Sequence, residues 1–356
     1  MDKPRPALIG LVGGFVVAVL VGFAVLSGIA RVAGDGSDRG DGTPTPVPPV
    51  PSGAFTIAVL PDTQYASEED VDPADTAFAA QTTWLATQAD ALDLRLVLHE
   101  GDLVDDACDP AQWDRAVAAM GVLDDAGIPY AISAGNHDVR YYPFEPDPCT
   151  DGEPVDHPAE FTERFPLAAA EAMPTFGGAF GTDSLNTFHT LADGGEQFLV
   201  LALEFGPEPA EADWALEVAR EHPDHHVIVL THDLVGPDGE LRGGTSSSVE
   251  ALPKPPRLTG AELWDRAIAP AGNVILTLNG HVTEGTTGRS VADDDAGRPV
   301  HRLLANYQTL DDGRTGYLRL LTVDPAAGTI DVSTYSPVLD TWLTDEANAF
   351  TLTDLW

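Results

Sequence analysis

Five short polar motifs follow apolar runs rich in β-branched residues, and this pattern indicates the fold class more strongly than any other feature of the sequence. The runs predict buried strands, so each motif is expected at the carboxyl end of a strand. Strand ends of this kind can converge on one face of a sheet and form a binding site. The motifs are Pro61-Asp62-Thr63-Gln64, Gly101-Asp102-Leu103-Val104-Asp105, Gly135-Asn136-His137-Asp138, Thr231-His232 and Gly280-His281.

The segments between these motifs alternate between helix and strand patterns. Residues 111–126, for example, place Trp113, Val117, Met120 and Leu123 at helical spacing. Further helices are predicted over residues 74–91, 159–165, 210–221 and 258–268. The C-terminal part supplies mainly strands, and residues 139–183 form a long, mostly irregular stretch. We therefore expect an α/β protein with two mixed sheets packed face to face between helices.

The side chains that lead these motifs suit a metal ion. They are carboxylates, an amide and imidazoles, a set that binds hard and borderline metals without cysteine. They belong to Asp62, Asp102, Asn136, His232 and His281. Asp102 is the natural bridging ligand, because its motif lies between the others in chain order. Two metals about 3.5–4 Å apart can stabilise an in-line displacement at phosphorus. The motifs thus predict a hydrolytic metal centre.

In this order the motifs resemble the calcineurin-like metallophosphoesterase superfamily, most specifically through Gly-Asp-x-x-Asp and Gly-Asn-His-Asp. The resemblance covers about residue 55 to the C-terminus. Three further stretches are similar to a bacterial secreted branch: Asp62-Thr63-Gln64, Ala305-Asn306-Tyr307-Gln308 and Thr334-Tyr335-Ser336-Pro337. The resemblance implies a four-layer α/β/β/α sandwich of two mixed sheets with a dinuclear site. It also implies a metal-dependent phosphoric ester hydrolase.

The metal ligands implied by the resemblance fall into two groups. Asp62 and Gln64 serve one ion, Asp102 bridges, and Asn136, His232 and His281 serve the other. The family usually has histidine where this chain has Gln64 and Thr283. Oxygen ligands at one half of the site shift its preference toward Mn, Mg or Ca and away from Zn or Fe, and weaken its binding. We therefore expect two divalent metal ions of undetermined identity, one of them weakly bound.

The remaining site residues concern the reaction. By the resemblance, His137 lies beside the substrate, where it stabilises the transition state or protonates the leaving oxygen. Asp105 or Asp138 orients its imidazole. Arg140 and Tyr141 directly follow this motif and are expected to bind the anionic substrate.

The expected function is hydrolysis of a phosphomonoester or phosphodiester by a metal-activated hydroxide. The alternative is a surface metal-binding or recognition module on the same fold with lost or weak turnover. His137 favours the enzyme, whereas Gln64 and Thr283 favour the module.

The N-terminus predicts passage into or across a membrane. Residues 7–30 carry no charge and are long enough to cross a bilayer as a helix. Lys3 and Arg5 precede them, so the positive-inside rule directs the rest of the chain outward. We expect residues 1–31 to be a single-pass anchor of the cell membrane. The alternative is a cleaved signal peptide, with Gly28-Ile29-Ala30 at the cleavage site and a secreted product.

The segment 32–53 is rich in Gly, Asp and Pro and predicts a linker to an extracytoplasmic metallophosphoesterase domain over residues 54–356. The chain has two cysteines, Cys108 and Cys149. In an oxidising compartment they are most simply joined in a disulfide, and two unpaired thiols are the alternative.

The net charge of −39 limits the partners of this chain. It results from 18 Lys and Arg residues against 57 Asp and Glu residues. Such a surface repels nucleic-acid backbones, so nucleic acid is not expected as a broad electrostatic partner. A phosphate ester is expected as the substrate, and the sequence leaves the oligomeric state open.

Overall fold

Two seven-stranded sheets with helices on their outer sides make up the part of the chain that the structure describes. The structure is a computed structural model, and it describes residues 47–68, 70–139, 159–243 and 256–356. The strands are β1 (Phe55–Leu60), β2 (Leu94–His99), β3 (Tyr130–Ile132), β4 (Phe176–Ala179), β5 (Thr187–Asp193), β6 (Glu196–Leu203), β7 (His225–Thr231), β8 (Val274–Asn279), β9 (Thr287–Asp293), β10 (Pro299–Ala305), β11 (Leu318–Asp324), β12 (Thr329–Ser336), β13 (Thr341–Leu343) and β14 (Phe350–Leu352).

The helices are α1 (Gln64–Glu68), α2 (Ala77–Leu92), α3 (Pro110–Ala126), α4 (Asn136–Val139), α5 (Ala159–Arg164), α6 (Leu167–Glu171), α7 (Pro209–Glu221) and α8 (Gly260–Leu263). A 3₁₀ turn at Pro73–Asp75 precedes α2, and a π-helical segment at Trp264–Ile268 continues α8.

Both sheets are mixed, as the sequence predicts. The first has the order β13-β12-β11-β1-β2-β3, and β14 also pairs with β12. The second has the order β4-β5-β6-β7-β8-β10-β9. Strands β1 to β3 are parallel, and so are β6, β7, β8 and β10. Parallel neighbours bring their carboxyl ends to the same edge of a sheet, which is where the polar motifs follow.

Buried strands supply side chains to a core on each of their faces. In β1, Phe55, Ile57 and Val59 enter the core between the two sheets. Ala58 and Leu60 of the same strand point to the opposite face, toward the core that contains residues of α2 and α3. A third core lies between the second sheet and α7. Strands buried on both faces need a nearly continuous apolar sequence, which explains the runs before the motifs.

The helix over residues 111–126 is present, but its buried face differs from the predicted one. Trp113, Met120 and Leu123 are buried, whereas Val117 is 38% exposed. Ala116 and Ala119 occupy the core-facing positions instead and are fully buried. These small residues fit where the helix approaches its neighbours closely, so the face turns away from Val117.

The predicted membrane segment, residues 1–31, lies outside the described residues, as does most of the predicted linker 32–53. Among the helices of the described ranges, none combines the length and apolarity needed to cross a bilayer. Val47, near the end of the predicted linker, packs against the core that contains residues of α2 and α3.

Candidate metal centre

The polar motifs meet where the carboxyl ends of the two sheets come together. Asp62, Asp102 and Asn136 follow β1, β2 and β3 of the first sheet. His232 and His281 follow β7 and β8 of the second sheet. Hydrogen bonds and ion pairs join the two groups directly, so the sequence motifs form one site, as predicted for strand ends of this type.

Asp102 contacts residues from both sheets. Its Oδ1 accepts a hydrogen bond from the backbone N–H of His137 at 3.0 Å. Its Oδ2 lies 3.1 Å from Nε2 of His232. A Cβ at Gly135 would overlap the Asp102 carboxylate, so only glycine fits beside it. This position, between the two groups, agrees with the bridging role that the sequence predicts.

The two histidines converge with Asp102 on one small volume. His232 is fully buried, and its Nδ1 donates to the backbone carbonyl of Glu100 at 2.6 Å. Nε2 of His232 is thereby left to face the site, 3.2 Å from Nδ1 of His281. One ligand atom each from Asp102, His232 and His281 lies within 4.8 Å of the others. Such closeness of basic atoms is typical of residues that share a cation.

Asp62 is held by three donors. Its carboxylate accepts from the backbone N–H of His281 at 3.0 Å, from Nδ2 of Asn306 at 2.9 Å and from Nε2 of Gln308 at 3.3 Å. A Cβ at Gly280 would overlap Asp62 Oδ1. The carboxylate is therefore fixed in one orientation before any ligand binds.

Three amide oxygens in the site have no hydrogen-bond partner within the described part of the chain. They are Oε1 of Gln64, Oδ1 of Asn136 and Oε1 of Gln308, and all three atoms are buried. A buried polar atom without a partner costs about 1–3 kcal/mol, so it normally has a function or a ligand. Gln64 and Asn136 are sequence-predicted metal ligands, and oxygen is the atom through which an amide binds a hard cation. The residues present therefore fit a metal centre.

The electrostatics of the cluster also fit a cation. Burial, together with the charge of Asp102, raises the pKa of Asp62 to about 7. Burial disfavours the charged form of Asp102 too, but the positive charges of His232 and His137 and the hydrogen bond from His232 together outweigh burial and lower the pKa of Asp102. Burial disfavours the imidazolium of His232, yet Asp102 raises its pKa to about 10. Burial lowers the pKa of His281 to about 4. A bound cation would replace the proton on His232, because ligands bind metals in their deprotonated forms.

His137 is oriented by Asp105. Nδ1 of His137 donates to the backbone carbonyl of Asp105 at 2.7 Å and lies 3.4 Å from its carboxylate. The same carboxylate accepts from Nε2 of Gln64 at 2.9 Å. This bond assigns the nitrogen of the Gln64 amide to Asp105, so its oxygen is the atom left for a metal. Asp105 thus positions both an imidazole and a predicted ligand.

The Asp138 carboxylate binds backbone N–H groups of two loops. Its Oδ1 accepts from the backbone N–H groups of Leu103 and Val104, and its Oδ2 accepts from Gly135. The carboxylate is fully buried and holds the loop after β2 against the loop after β3. Of the two residues proposed to orient the His137 imidazole, the structure favours Asp105.

A cavity of about 220 Å³ opens beside these residues. Gln64, Asp102, His137 and His281 line it. Four other residues complete part of its wall: Tyr65, Arg242, Thr283 and Glu284. The cavity is therefore polar and lies against the predicted metal ligands and the predicted acid.

Sequence reasoning missed three residues of this site. Asn306 and Gln308 belong to a motif that carries the family resemblance, but their contact with Asp62 spans more than 240 residues of chain. Arg242 lies in a loop and has no distinctive neighbours in the sequence. The predicted substrate residues Arg140 and Tyr141 lie outside the described residues, and so does Cys149. The Cys108–Cys149 disulfide therefore stays a prediction.

Comparison with known proteins identifies the family. The family model for calcineurin-like phosphoesterases matches residues 55–285. The chain belongs to this family. The resemblance stated from the motifs is thus confirmed.

Proteins similar to this chain include a curated relative and several solved structures. It is 31% identical over 287 residues to an uncharacterised Bacillus subtilis (strain 168) protein, YvnB; the match covers 80% of this chain and 20% of YvnB. The chain therefore spans about a fifth of the length of that relative.

The solved structures share the fold at 13% identity. A purple acid phosphatase, PPD1, from yellow lupin (Lupinus luteus) seeds has a TM-score of 0.52, with 84% of this chain and 54% of that chain covered. A dimetal phosphatase from Danio rerio has a TM-score of 0.53, with 86% of this chain and 100% of that chain covered. At this identity the likeness extends to the fold alone.

Proposed function

We propose that this chain hydrolyses a phosphomonoester or phosphodiester with the help of two divalent metal ions. One observation carries the proposal. The oxygens of Gln64 and Asn136 are buried without partners in the described part of the chain, beside the cluster of Asp102, His232 and His281. Three of these residues, Gln64, Asp102 and His281, line a cavity that also contains His137. A recognition module would need the cluster, but it would not need an oriented imidazole in the same cavity.

The residues of the site would have separate roles in such a reaction, either holding the metals or moving a proton. When bound, divalent metals lower the pKa of a coordinated water and polarise a phosphoryl oxygen. Asp62, Gln64, Asp102, Asn136, His232 and His281 would hold them. His137 keeps Nδ1 on the carbonyl of Asp105, and its Nε2, which lies 3.5 Å from Nε2 of Gln64, would give a proton to the departing alcohol oxygen. The charge of Asp105 favours the imidazolium form that this step requires.

The metals differ in their ligands. Asp62 and Gln64 offer only oxygen to one ion, whereas the other has two imidazoles nearby. We propose that the oxygen-liganded ion is Mn, Mg or Ca and exchanges readily, whereas Fe or Zn also suits the imidazole half. Thr283 and Glu284 line the cavity and are further oxygen donors for it.

The location of this activity is a separate proposal from the sequence. We propose that residues 1–31 anchor the chain in the cell membrane, that 32–53 is a linker, and that 54–356 acts outside the cytoplasm. The uncharged residues 7–30 and the preceding Lys3 and Arg5 support this orientation. A disulfide between Cys108 and Cys149 suits that compartment.

The activity is tested by stripping the purified protein of metal and adding back Mn, Mg, Ca, Zn or Fe singly. Hydrolysis of p-nitrophenyl phosphate and bis-p-nitrophenyl phosphate is then followed. We expect turnover to return with metal and to fall about 10²- to 10⁴-fold in His137→Ala, the usual range for a general acid. His225→Ala, which changes a histidine remote from the cavity, serves as the control. A folded protein that binds metal but hydrolyses neither ester would favour the recognition module.

A further inference from the structure

We propose that Arg242 binds a non-bridging phosphoryl oxygen of the substrate and that it makes the site selective for phosphomonoesters over phosphodiesters. This inference rests on the proposed function and names its substrate class. Arg242 lines the cavity together with Asp102, His137 and His281. Among the described residues of that wall it is the sole Lys or Arg, although the chain as a whole is strongly acidic.

The position of Arg242 is fixed by the fold. Its backbone N–H donates to the carbonyl of Leu234, and its own carbonyl accepts from Ala261. A β-bridge between Val235 and Leu241 closes the loop that leads to it. The loop begins directly after His232, a predicted ligand, so the guanidinium is tied to the metal centre through a short closed segment.

The guanidinium is also held from one side. Asp233 is 3% exposed, and its Oδ1 lies 2.5 Å from Nε of Arg242. The Arg242 side chain is 15% exposed and has no hydrogen bond from its Nη atoms to any described residue. This contact is an ion pair without hydrogen-bond geometry, so Asp233 attracts the guanidinium on its Nε side, and we assign the two Nη groups to a ligand in the cavity. An arginine fork held in this way matches two oxygens of a phosphate.

The charge of the substrate determines which ester Arg242 binds more strongly. A phosphomonoester carries about 1.5 to 2 negative charges at pH 7, and a second esterification removes one of its ionisable oxygens. A diester therefore offers less charge to a guanidinium and adds a second group that must be accommodated in the cavity. Arg242 consequently stabilises a bound monoester, and also inorganic phosphate, more than a diester.

The test compares Arg242→Gln and Arg242→Lys with the wild type, on both nitrophenyl esters and with inorganic phosphate as the ligand in calorimetry. We expect the wild type to prefer the monoester. In Arg242→Gln, kcat/KM for the monoester and the affinity for phosphate should fall about 10- to 100-fold, the range for a lost charged hydrogen bond. The diester should lose less than the monoester, because its non-bridging oxygens carry less charge. The values for Arg242→Lys should lie between those of the wild type and Arg242→Gln, because lysine keeps the positive charge but loses the forked guanidinium.

Arg266→Gln is the matched control, since Arg266 also pairs with a carboxylate, Asp213, at 2.7 Å but does not line the cavity. If Arg242→Gln unfolds because the buried Asp233 carboxylate loses the charge of Arg242, Asp233→Asn/Arg242→Gln removes both charges and is measured instead. In an active enzyme, an unchanged ratio of monoester to diester activity in Arg242→Gln would overturn the inference about Arg242 but not the proposed function.

If the wild type hydrolyses neither ester, the proposed function fails, and the affinity for inorganic phosphate still tests the role of Arg242. Weaker phosphate binding in the variant supports its role, whereas equal binding, or none by the wild type, refutes it.

Discussion

Replacing Gly280 by alanine should disable the site while leaving the fold intact. The new Cβ would lie about 1 Å inside the 3.0 Å that real Cβ contacts keep, and the atom it meets is Oδ1 of Asp62. The carboxylate cannot rotate away freely, because His281, Asn306 and Gln308 all donate to it. It must therefore shift by roughly 1 Å, and a misplacement of this size costs about 10²-fold in rate.

The stability of Gly280→Ala should fall by about 1–3 kcal/mol, the usual cost of overpacking a well-filled region. The assays are calorimetric titration of the stripped protein with Mn²⁺, kcat/KM for p-nitrophenyl phosphate, and the melting temperature. Gly121→Ala is the control, because Gly121 lies in α3 and a Cβ there meets nothing within 4 Å. The Gly121→Ala protein should be more stable by about 0.5–1 kcal/mol, because alanine has the higher helix propensity, and it should keep its metal affinity.

A Gly280→Ala protein that binds Mn²⁺ and turns over like the wild type would refute this reasoning. It would mean that the orientation of the Asp62 carboxylate does not matter for the site. Loss of folding in Gly121→Ala would likewise contradict the account, since the new methyl group there meets no atom within 4 Å.

Two further predictions concern the Asp105 carboxylate beside the site and the buried carboxyl group of Glu211 in α7. Asp105→Asn should lower activity or metal affinity about 10- to 100-fold, because the carboxylate orients both Gln64 and His137. Asp106→Asn, whose carboxylate accepts from a backbone N–H outside the cavity, should stay near wild type in the same titration. Burial and the nearby charge of Glu204 raise the pKa of Glu211 from its usual 4.5 to about 8. The folded state then holds a proton that the unfolded state releases, so stability falls as the pH rises from 4.5 through 8. Glu211→Gln should flatten this part of the melting-temperature profile, and equal slopes in both proteins would contradict it.

Strand ends and their polar motifs could be predicted because both depend on local sequence. An apolar run buried on two faces, followed directly by Asp102 or by His281, is visible within ten residues of chain. The helical face that includes Val117 was predicted wrongly, since spacing does not show that Ala116 and Ala119 approach the core more closely. The motif Gly135-Asn136-His137-Asp138 likewise does not show that Asp138 binds backbone amides.

The parts of the site that could not be predicted are contacts over long chain distances. Asn306 and Gln308 reach Asp62 only because β10 lies beside β8 in the second sheet. Arg242 faces the cavity because a loop closes on itself and Asp233 holds the guanidinium. Neither arrangement has a periodic signal, so the fold must be known before these residues can be assigned.

The most direct test of the metal centre is the metal content of the folded chain. The purified protein is stripped of metal and dialysed against Mn²⁺ or Zn²⁺, and its bound metal is measured by inductively coupled plasma mass spectrometry. Asp102→Asn is the variant, and Asp106→Asn is its control. We predict bound metal in the wild type and in Asp106→Asn, with up to two ions per chain, and its loss in Asp102→Asn. A folded wild type without bound metal, or metal retained in full by Asp102→Asn, would contradict a centre built on these strand ends.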